Sequence, residues 1–274
     1  MNPILELLSP GNRPAGDRPP HPAREDTAAT RMSAIKSELE RLSEAGGSLP
    51  SLEIVLPADG ELRIRNIVHR GTTRPVFKTF SVKLDRSVHT ESALEREFAL
   101  LLEAAPPVDA YIEQPVRLHY VNDDLQRSHV PDFAILVHGK LWFVEVKFAK
   151  DVDQDIVERT TLMTERLARI GVSYRLVTEK EVRVGHQVQN ATRILRRSRH
   201  SSCRELRLAV LHRLRSANVS TFGDFGWSSD ESEVTSALCS LLVEGLAAYD
   251  EAELVSPSTR VWCSSSIDAK AVAA

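Results

Sequence analysis

The chemistry in this chain is concentrated in two short fragments, Val130-Pro131-Asp132-Phe133 and Phe143-Val144-Glu145-Val146-Lys147. Residues two apart in a β-strand project to the same side, so Glu145 and Lys147 share one face while Val144 and Val146 share the other. Between the fragments, His138-Gly139-Lys140 is a hairpin signal, and a tight turn near Gly139 folds Asp132 back beside Glu145 and Lys147. Three charged groups converging on an apolar strand pair are costly to bury unless something compensates them. A divalent cation would do so. Two carboxylates offer the hard oxygen ligands that suit Mg²⁺, with Mn²⁺ as a substitute. Such an ion polarises a phosphate and lowers the pKa of a bound water, and Lys147 is placed to position that water and stabilise developing charge. The chemistry implied is hydrolysis of a phosphodiester, leaving 3′-hydroxyl and 5′-phosphate ends. The plain alternative is a solvated strand face carrying an ordinary Glu–Lys ion pair. The Pro-Asp before an apolar strand, the close hairpin and the apolar neighbours weigh against it.

The elements that must position these residues follow from periodicity. Strand candidates at residues 110–113, 116–121, 133–137 and 141–147 precede a helix over 154–169 and a strand over 174–177. Upstream, Leu94, Phe98, Leu101 and Leu102 recur at helical spacing over 90–105, and Pro106-Pro107 ends that run. Glu95 on this helix is a third candidate carboxylate. Ser92-Ala93-Leu94-Glu95 equally fits a capping box, in which Glu95 only satisfies a backbone N–H. Earlier still come strand-like runs at 62–68 and 76–84 and a helix over 31–45 with Met32, Ile35, Leu39 and Leu42 on one face. Beyond residue 182 the pattern is helical, over 186–197, 203–214 and 231–246, then strand-like at Leu254 and 261–263.

These elements predict an α/β fold: a mixed sheet flanked by helices, a small C-terminal helical or winged-helix module, and a flexible N-terminal tail. The expected division is a tail over 1–30, a catalytic domain over 31–182 and a DNA- or partner-binding domain over 183–274. The tail is assigned because Pro, Gly, Arg and Asp dominate it, with few large apolar groups to offset its ordering entropy.

Composition sets limits. An apolar fraction of 42% and a charged fraction of 27% suit a soluble globular protein. No apolar run approaches the roughly 18 residues that span a bilayer, and no signal-peptide core is present, so no membrane partner and a cytoplasmic location are expected. Cys203, Cys239 and Cys263 lack ligand spacing and read as small core residues in a reducing compartment. No phosphate-binding G-x-x-x-x-G-K-[ST] run exists, so ATP hydrolysis by this chain is not expected. The net charge of −3 argues against non-specific coating of nucleic acid, yet its distribution is uneven. Eight arginines stand between 193 and 215 against the single acid Glu205, whereas 216–259 has eight acids and no lysine or arginine.

Several blocks occur in a telling order: Asn66-Ile67-Val68, Ser81-Val82-Lys83, Glu91-Ser92-Ala93-Leu94-Glu95-Arg96-Glu97-Phe98, Glu113-Gln114-Pro115, Pro131-Asp132-Phe133, Val144-Glu145-Val146-Lys147 and Tyr174-Arg175-Leu176-Val177-Thr178-Glu179, then Asn190 before the arginines. The series, over residues 60–200, resembles the TnsA family, the endonuclease subunit of heteromeric cut-and-paste transposases in the PD-(D/E)xK superfamily. The resemblance implies a restriction-endonuclease-like core. It also implies cleavage at the 5′ ends of a mobile element in double-stranded DNA, acting on the nucleoid. A DDE-type transposase subunit, TnsB, would cut the 3′ ends, and an AAA+ ATPase regulator, TnsC, would dock on the C-terminal part.

In the family's E…D…(E/Q)-x-K pattern the helical acid falls on Glu95, and Asp132, Glu145 and Lys147 take the remaining places. The metal ligands so implied are Glu95, Asp132, Glu145 and the backbone carbonyl of Val146. Phe148 departs from the Pro or small residue that often follows the lysine, and the long segment before Asn66 has no counterpart in the pattern. Lys83, Gln114, Arg196, Arg197 and Arg199 are candidate DNA contacts, and His129, near Asp132, reads as structural. A stand-alone restriction or repair nuclease using the same residues, and a non-catalytic module binding DNA ends or a partner, are the alternatives.

Overall fold

Phe-Ala-Ile-Leu-Val over Phe133–Val137 has no polar side chain, as a strand covered on both faces requires, and all five residues are buried. This strand, β7, lies inside a four-stranded sheet ordered β4-β7-β8-β9, with β4 at Val108–Glu113, β8 at Lys140–Lys147 and β9 at Ser173–Thr178. The structure, a computed structural model, describes residues 27–46, 52–64, 76–198, 202–217, 220–227 and 232–264. Residues 1–26 of the expected tail, most of the strand expected over 62–68, and Arg199 lie outside that set. Leu62 to Ile64, which are described, form bends rather than a strand.

The register explains how the chemistry-bearing residues meet. β7 and β8 pair antiparallel with Phe133 opposite Val144 and Val137 opposite Lys140. Only His138 and Gly139 close the hairpin, and both are left-handed, at φ 49° and 73°. That conformation matches the twist of the flanking strands. β9 joins the other side of β8 in parallel, with Leu176 opposite Glu145. Parallel neighbours need a crossover, and α3 (Gln154–Ala168) supplies it. The Asp153 carboxylate caps α3 by accepting from the Ile156 N–H at 2.9 Å, and Met163 and Leu167 are its buried face.

Around this sheet stand α1 (Ala28–Gly46), α2 (Ala93–Ala104), the hairpin β2–β3 (Phe77–Ser81, Arg86–Thr90) and a second sheet ordered β1-β5-β6. The last comprises Leu52–Val55, Arg117–Asn122 and Leu125–His129. Phe98 of α2 meets the ring of Phe133 edge-on at 5.5 Å between centroids, tying that helix to the sheet. A short 3₁₀ turn, Ala149–Asp151, follows β8, and the single-turn helix α4 (Glu179–Val182) follows β9.

The described residues divide into two compact units: Thr27–Ala99 with Val108–Val182, and Leu100–Pro107 with the chain from Arg183 onward. The second unit carries α5 (Gln187–Ser198), α6 (Arg204–Ser216), α7 (Glu233–Val243) and an antiparallel sheet ordered β10-β12-β11. Its strands are Ser220–Thr221, Arg260–Cys263 and Ala247–Tyr249. Phe222, Phe225, Trp227, Leu238 and Val261 are among its core residues. The strand expected at Leu254 is not formed. Side chains from α5 meet the backbone there instead: Asn190 Oδ1 accepts from the Val255 N–H at 2.8 Å and Arg193 donates to the Val255 carbonyl at 2.7 Å.

Candidate active site

Asp132 sits one residue before β7, in line with Glu145 if the Phe133–Val144 register is continued by one step. Its backbone carbonyl accepts from the Gln114 N–H at 2.9 Å, and its Oδ2 accepts from the Val146 N–H at 2.8 Å. The residue is thereby tied by its side chain to β8 and by its backbone to the end of β4. Val146 contributes through its N–H in this arrangement, while the ligand expected from that residue is its carbonyl.

Glu145 is 2% exposed and is surrounded by cationic and polar groups. Its Oε1 lies 3.2 Å from Lys147 Nζ and 3.4 Å from an Arg159 guanidinium nitrogen of α3. Its Oε2 lies 2.9 Å from His129 Nε2. That oxygen nevertheless accepts no hydrogen bond of good geometry, and the same Nε2 is also 2.8 Å from Tyr174 Oη. The approach of His129 is firm; the direction of its N–H is shared.

Glu95 completes the group from the first turn of α2. The Glu91 N–H donates to its Oε2 at 2.8 Å, and its own N–H donates to Ser92 Oγ at 3.1 Å. This is a capping arrangement shifted by one residue from the usual box, so the capping reading describes Glu95 physically. The same carboxylate is close enough to Asp132 and Lys147 to perturb both.

The electrostatics follow from burial. Desolvation, then repulsion from Glu145 and Glu95, pushes Asp132 well above the usual carboxylate range. Burial also raises Glu95. Burial alone would raise Glu145, but the close approach and charge of His129, with Lys147 and Arg159, outweigh it and hold that carboxyl low. Burial would lower Lys147, yet Asp132, Glu145 and Glu95 outweigh it and keep the ammonium protonated.

No group of three or more His, Cys, Asp or Glu side chains stands ready to hold a metal among the described residues. The donor set still fits a hard divalent cation. Two carboxyls raised chiefly by burial, and a buried Glu145 Oε2 without a hydrogen bond, are what such an ion would satisfy.

A brace unforeseen from sequence lies next to the site. Glu113 is buried, accepts from Arg86 at 2.6 and 3.0 Å and from the His89 N–H at 3.2 Å, and pairs with Arg63 at 3.3 Å. Burial and the neighbouring Arg63 lower the pKa of His89, whose Nδ1 lies 2.6 Å from Arg63. The next residue, Gln114, is left-handed at φ 47° and buried, with its Nε2 donating to Glu91 Oε1 at 2.7 Å. Gln114 thus contacts Glu91 by its side chain and Asp132 by its backbone N–H.

Lys83 stands in the turn between β2 and β3. Arg196 is exposed on α5, and Arg197 lies over the Trp227 ring at 4.1 Å, which makes it a packing residue of its own unit. His129, Arg159 and Tyr174 were the residues that sequence reasoning did not gather into the site. The one signal for Tyr174 was its phase, since Tyr174 and Leu176 alternate on β9 as Phe143 and Glu145 do on β8.

Residues 105–179 match the family model described as the TnsA-like endonuclease N-terminal domain, a span that includes Asp132, Glu145 and Lys147 and leaves Glu95 outside. No curated protein matches the chain.

Proposed function

We propose that this member of the TnsA family is a metal-dependent DNA endonuclease that hydrolyses phosphodiesters at the 5′ ends of a transposable element. The observation that carries the reading is the meeting of Asp132, Glu145 and Lys147 at one end of the β7–β8 hairpin, inside the matched endonuclease domain. On this reading the sheet β4-β7-β8-β9 with α2 and α3 is a restriction-endonuclease-like core.

Asp132, Glu145 and Glu95, with the Val146 carbonyl, would hold Mg²⁺, which supplies polarisation of the scissile phosphate and a more acidic water. The chain's own residues do the rest. The Val146 N–H and the Gln114 N–H fix Asp132 by its side chain and its backbone. Lys147, held protonated by three carboxylates, acts as a donor to negative oxygen and to the attacking water, and is no proton acceptor. The bond that breaks is between phosphorus and the 3′ oxygen of the neighbouring nucleotide, which departs as a hydroxyl.

The partners proposed are a TnsB-like transposase subunit and a TnsC-like regulator. The C-terminal unit, with three helices and strand order β10-β12-β11, supports a winged-helix reading. Its α7 has Thr235, Ser236, Ala237, Leu238, Cys239, Leu241 and Leu242 buried, so α7 is not the helix that enters a DNA groove. Exposed Arg196, Arg204 and Arg215 are better placed for phosphate.

The test is strand-resolved cleavage of a labelled element-end duplex in Mg²⁺, with and without the cognate transposase subunit, comparing wild type with Asp132→Ala. Partner-dependent cutting at the 5′ end that disappears in the variant is expected. Cutting without the partner would favour a stand-alone nuclease. Cleavage unaffected by Asp132→Ala would remove the assignment of the site.

A further inference from the structure

Glu145 is the most enclosed of the three carboxylates, and its surroundings come from four separate places in the chain. Lys147 shares its strand. His129 ends β6, Arg159 sits in the middle of α3 and Tyr174 is the second residue of β9. Tyr174 lies opposite Phe143, two residues from Glu145, so strand alternation puts Tyr174 on the Glu145 side of the sheet. Its ring meets that of His129 edge-on at 6.1 Å, and its hydroxyl stands 2.8 Å from Nε2. His129 is therefore held at two points while it faces Glu145 Oε2. Arg159 approaches the other oxygen at 3.4 Å and is only partly used, for its Nε is buried without a hydrogen-bond partner.

We propose that His129, Tyr174 and Arg159 are positioning residues that fix the carboxylate of Glu145 for the proposed reaction, the histidine gripping one oxygen and the guanidinium the other. The inference rests on the metallonuclease reading given above. Lys147 needs Glu145 in place as well, because its Nζ contacts the same Oε1 that Arg159 contacts. A carboxylate with free rotation about its side chain would present either oxygen in any direction and would leave Lys147 without a fixed partner. Outer-shell partners of metal ligands act in this way in other sites, where their loss weakens ion binding about 10- to 100-fold.

The sign of the effect separates positioning from charge. Removing a positive group beside a cation site strengthens the attraction for the cation, so a purely electrostatic role predicts tighter binding in Arg159→Ala. Positioning predicts the reverse. The measurement is Mn²⁺ binding to the full chain by isothermal titration calorimetry, with thermal midpoints recorded in EDTA. Arg159→Ala and His129→Leu should weaken Mn²⁺ binding by about tenfold or more. His129→Gln, whose amide places an N–H near the former Nε2, and Arg159→Lys should restore part of it. Melting midpoints in EDTA identify any variant that has lost its fold, and the conservative pair then carries the comparison. Unchanged or tighter Mn²⁺ binding in folded Arg159→Ala and His129→Leu would overturn the positioning role while leaving the metallonuclease reading in place. Absence of Mn²⁺ binding by the wild type would overturn both.

Discussion

Asp132 shows what a site of this kind costs the free protein. Its carboxyl is pushed well above the usual range by burial and by Glu145 and Glu95, so the folded chain holds that proton more tightly than the unfolded chain. Stability from this group is greatest at low pH and declines as pH rises from the ordinary carboxylate value through the raised one. Asp132→Asn should therefore melt higher than wild type in EDTA at neutral pH, with the gap closing toward about pH 4. A lower neutral-pH midpoint for the variant would contradict the argument. One pair of substitutions can separate the observed capping role of Glu95 from its proposed catalytic one. Gln keeps an oxygen for the Glu91 N–H, whereas Ala removes the cap at about 0.5–2 kcal/mol. Glu95→Gln should thus retain wild-type stability in urea titrations and lose cleavage; retained cleavage would make Glu95 a cap alone.

At the scale of elements, the His138-Gly139 turn decides which residues face the site. Gly139 has φ +73° and, among the described residues, no atom within 4 Å of where a Cβ would stand. Gly139→Ala therefore meets backbone strain rather than a clash, about 1–2 kcal/mol by chemical denaturation. A stability equal to wild type would count against that turn geometry. This hairpin was also the part most legible in the sequence. Alternating Glu145 and Lys147, the turn residues and the apolar β7 are all local signals, and they place Asp132 beside Glu145 without knowledge of any other element. The helices α1, α2, α3, α5, α6 and α7 were readable from their apolar spacing. β6 was not, because Leu125, Gln126, Arg127 and Ser128 are all exposed and carry no apolar alternation. β1 is a short strand whose character comes from a partner distant in sequence, with Tyr120 opposite Leu52. The surroundings of Glu145 were hidden for the same reason. Nothing local in His129, Arg159 or Tyr174 announces a shared carboxylate, and the Glu113 brace joins Arg63, Arg86 and His89 across 24 to 50 residues.

For the molecule as a whole, the arginine-rich stretch means less for DNA than its charge suggests. Arg193 bonds the Val255 carbonyl, Arg197 covers Trp227, Arg207 pairs with Glu244, and Arg213 lies 4.9 Å over Phe225. Half of the eight arginines are thus engaged within their own unit. Arg197→Ala should lower the thermal midpoint, losing about 0.5–2 kcal/mol of cation–π contact, while Arg196→Ala should leave it unchanged. In DNA binding measured against salt, Arg196→Ala is the variant expected to flatten the dependence, by about one phosphate contact. An identical salt slope for Arg196→Ala and wild type would exclude Arg196 as a contact. With a net charge of −3 and half of this stretch's arginines engaged within their own unit, the isolated chain is expected to hold DNA weakly, which suits the proposed enzyme brought to its substrate by a partner.

The two-residue closure between β7 and β8 has a consequence for how this gene can change over time. A hairpin loop of that size has nothing to give up, so losing one codon there must draw a residue from a strand and slide the pairing by one position. Val144 and Val146 would then turn toward the Asp132 side, and Glu145 and Lys147 toward the apolar layer, although no acidic or basic residue had been altered. Insertions and deletions at this turn should be as scarce among working descendants as replacements of Asp132 itself.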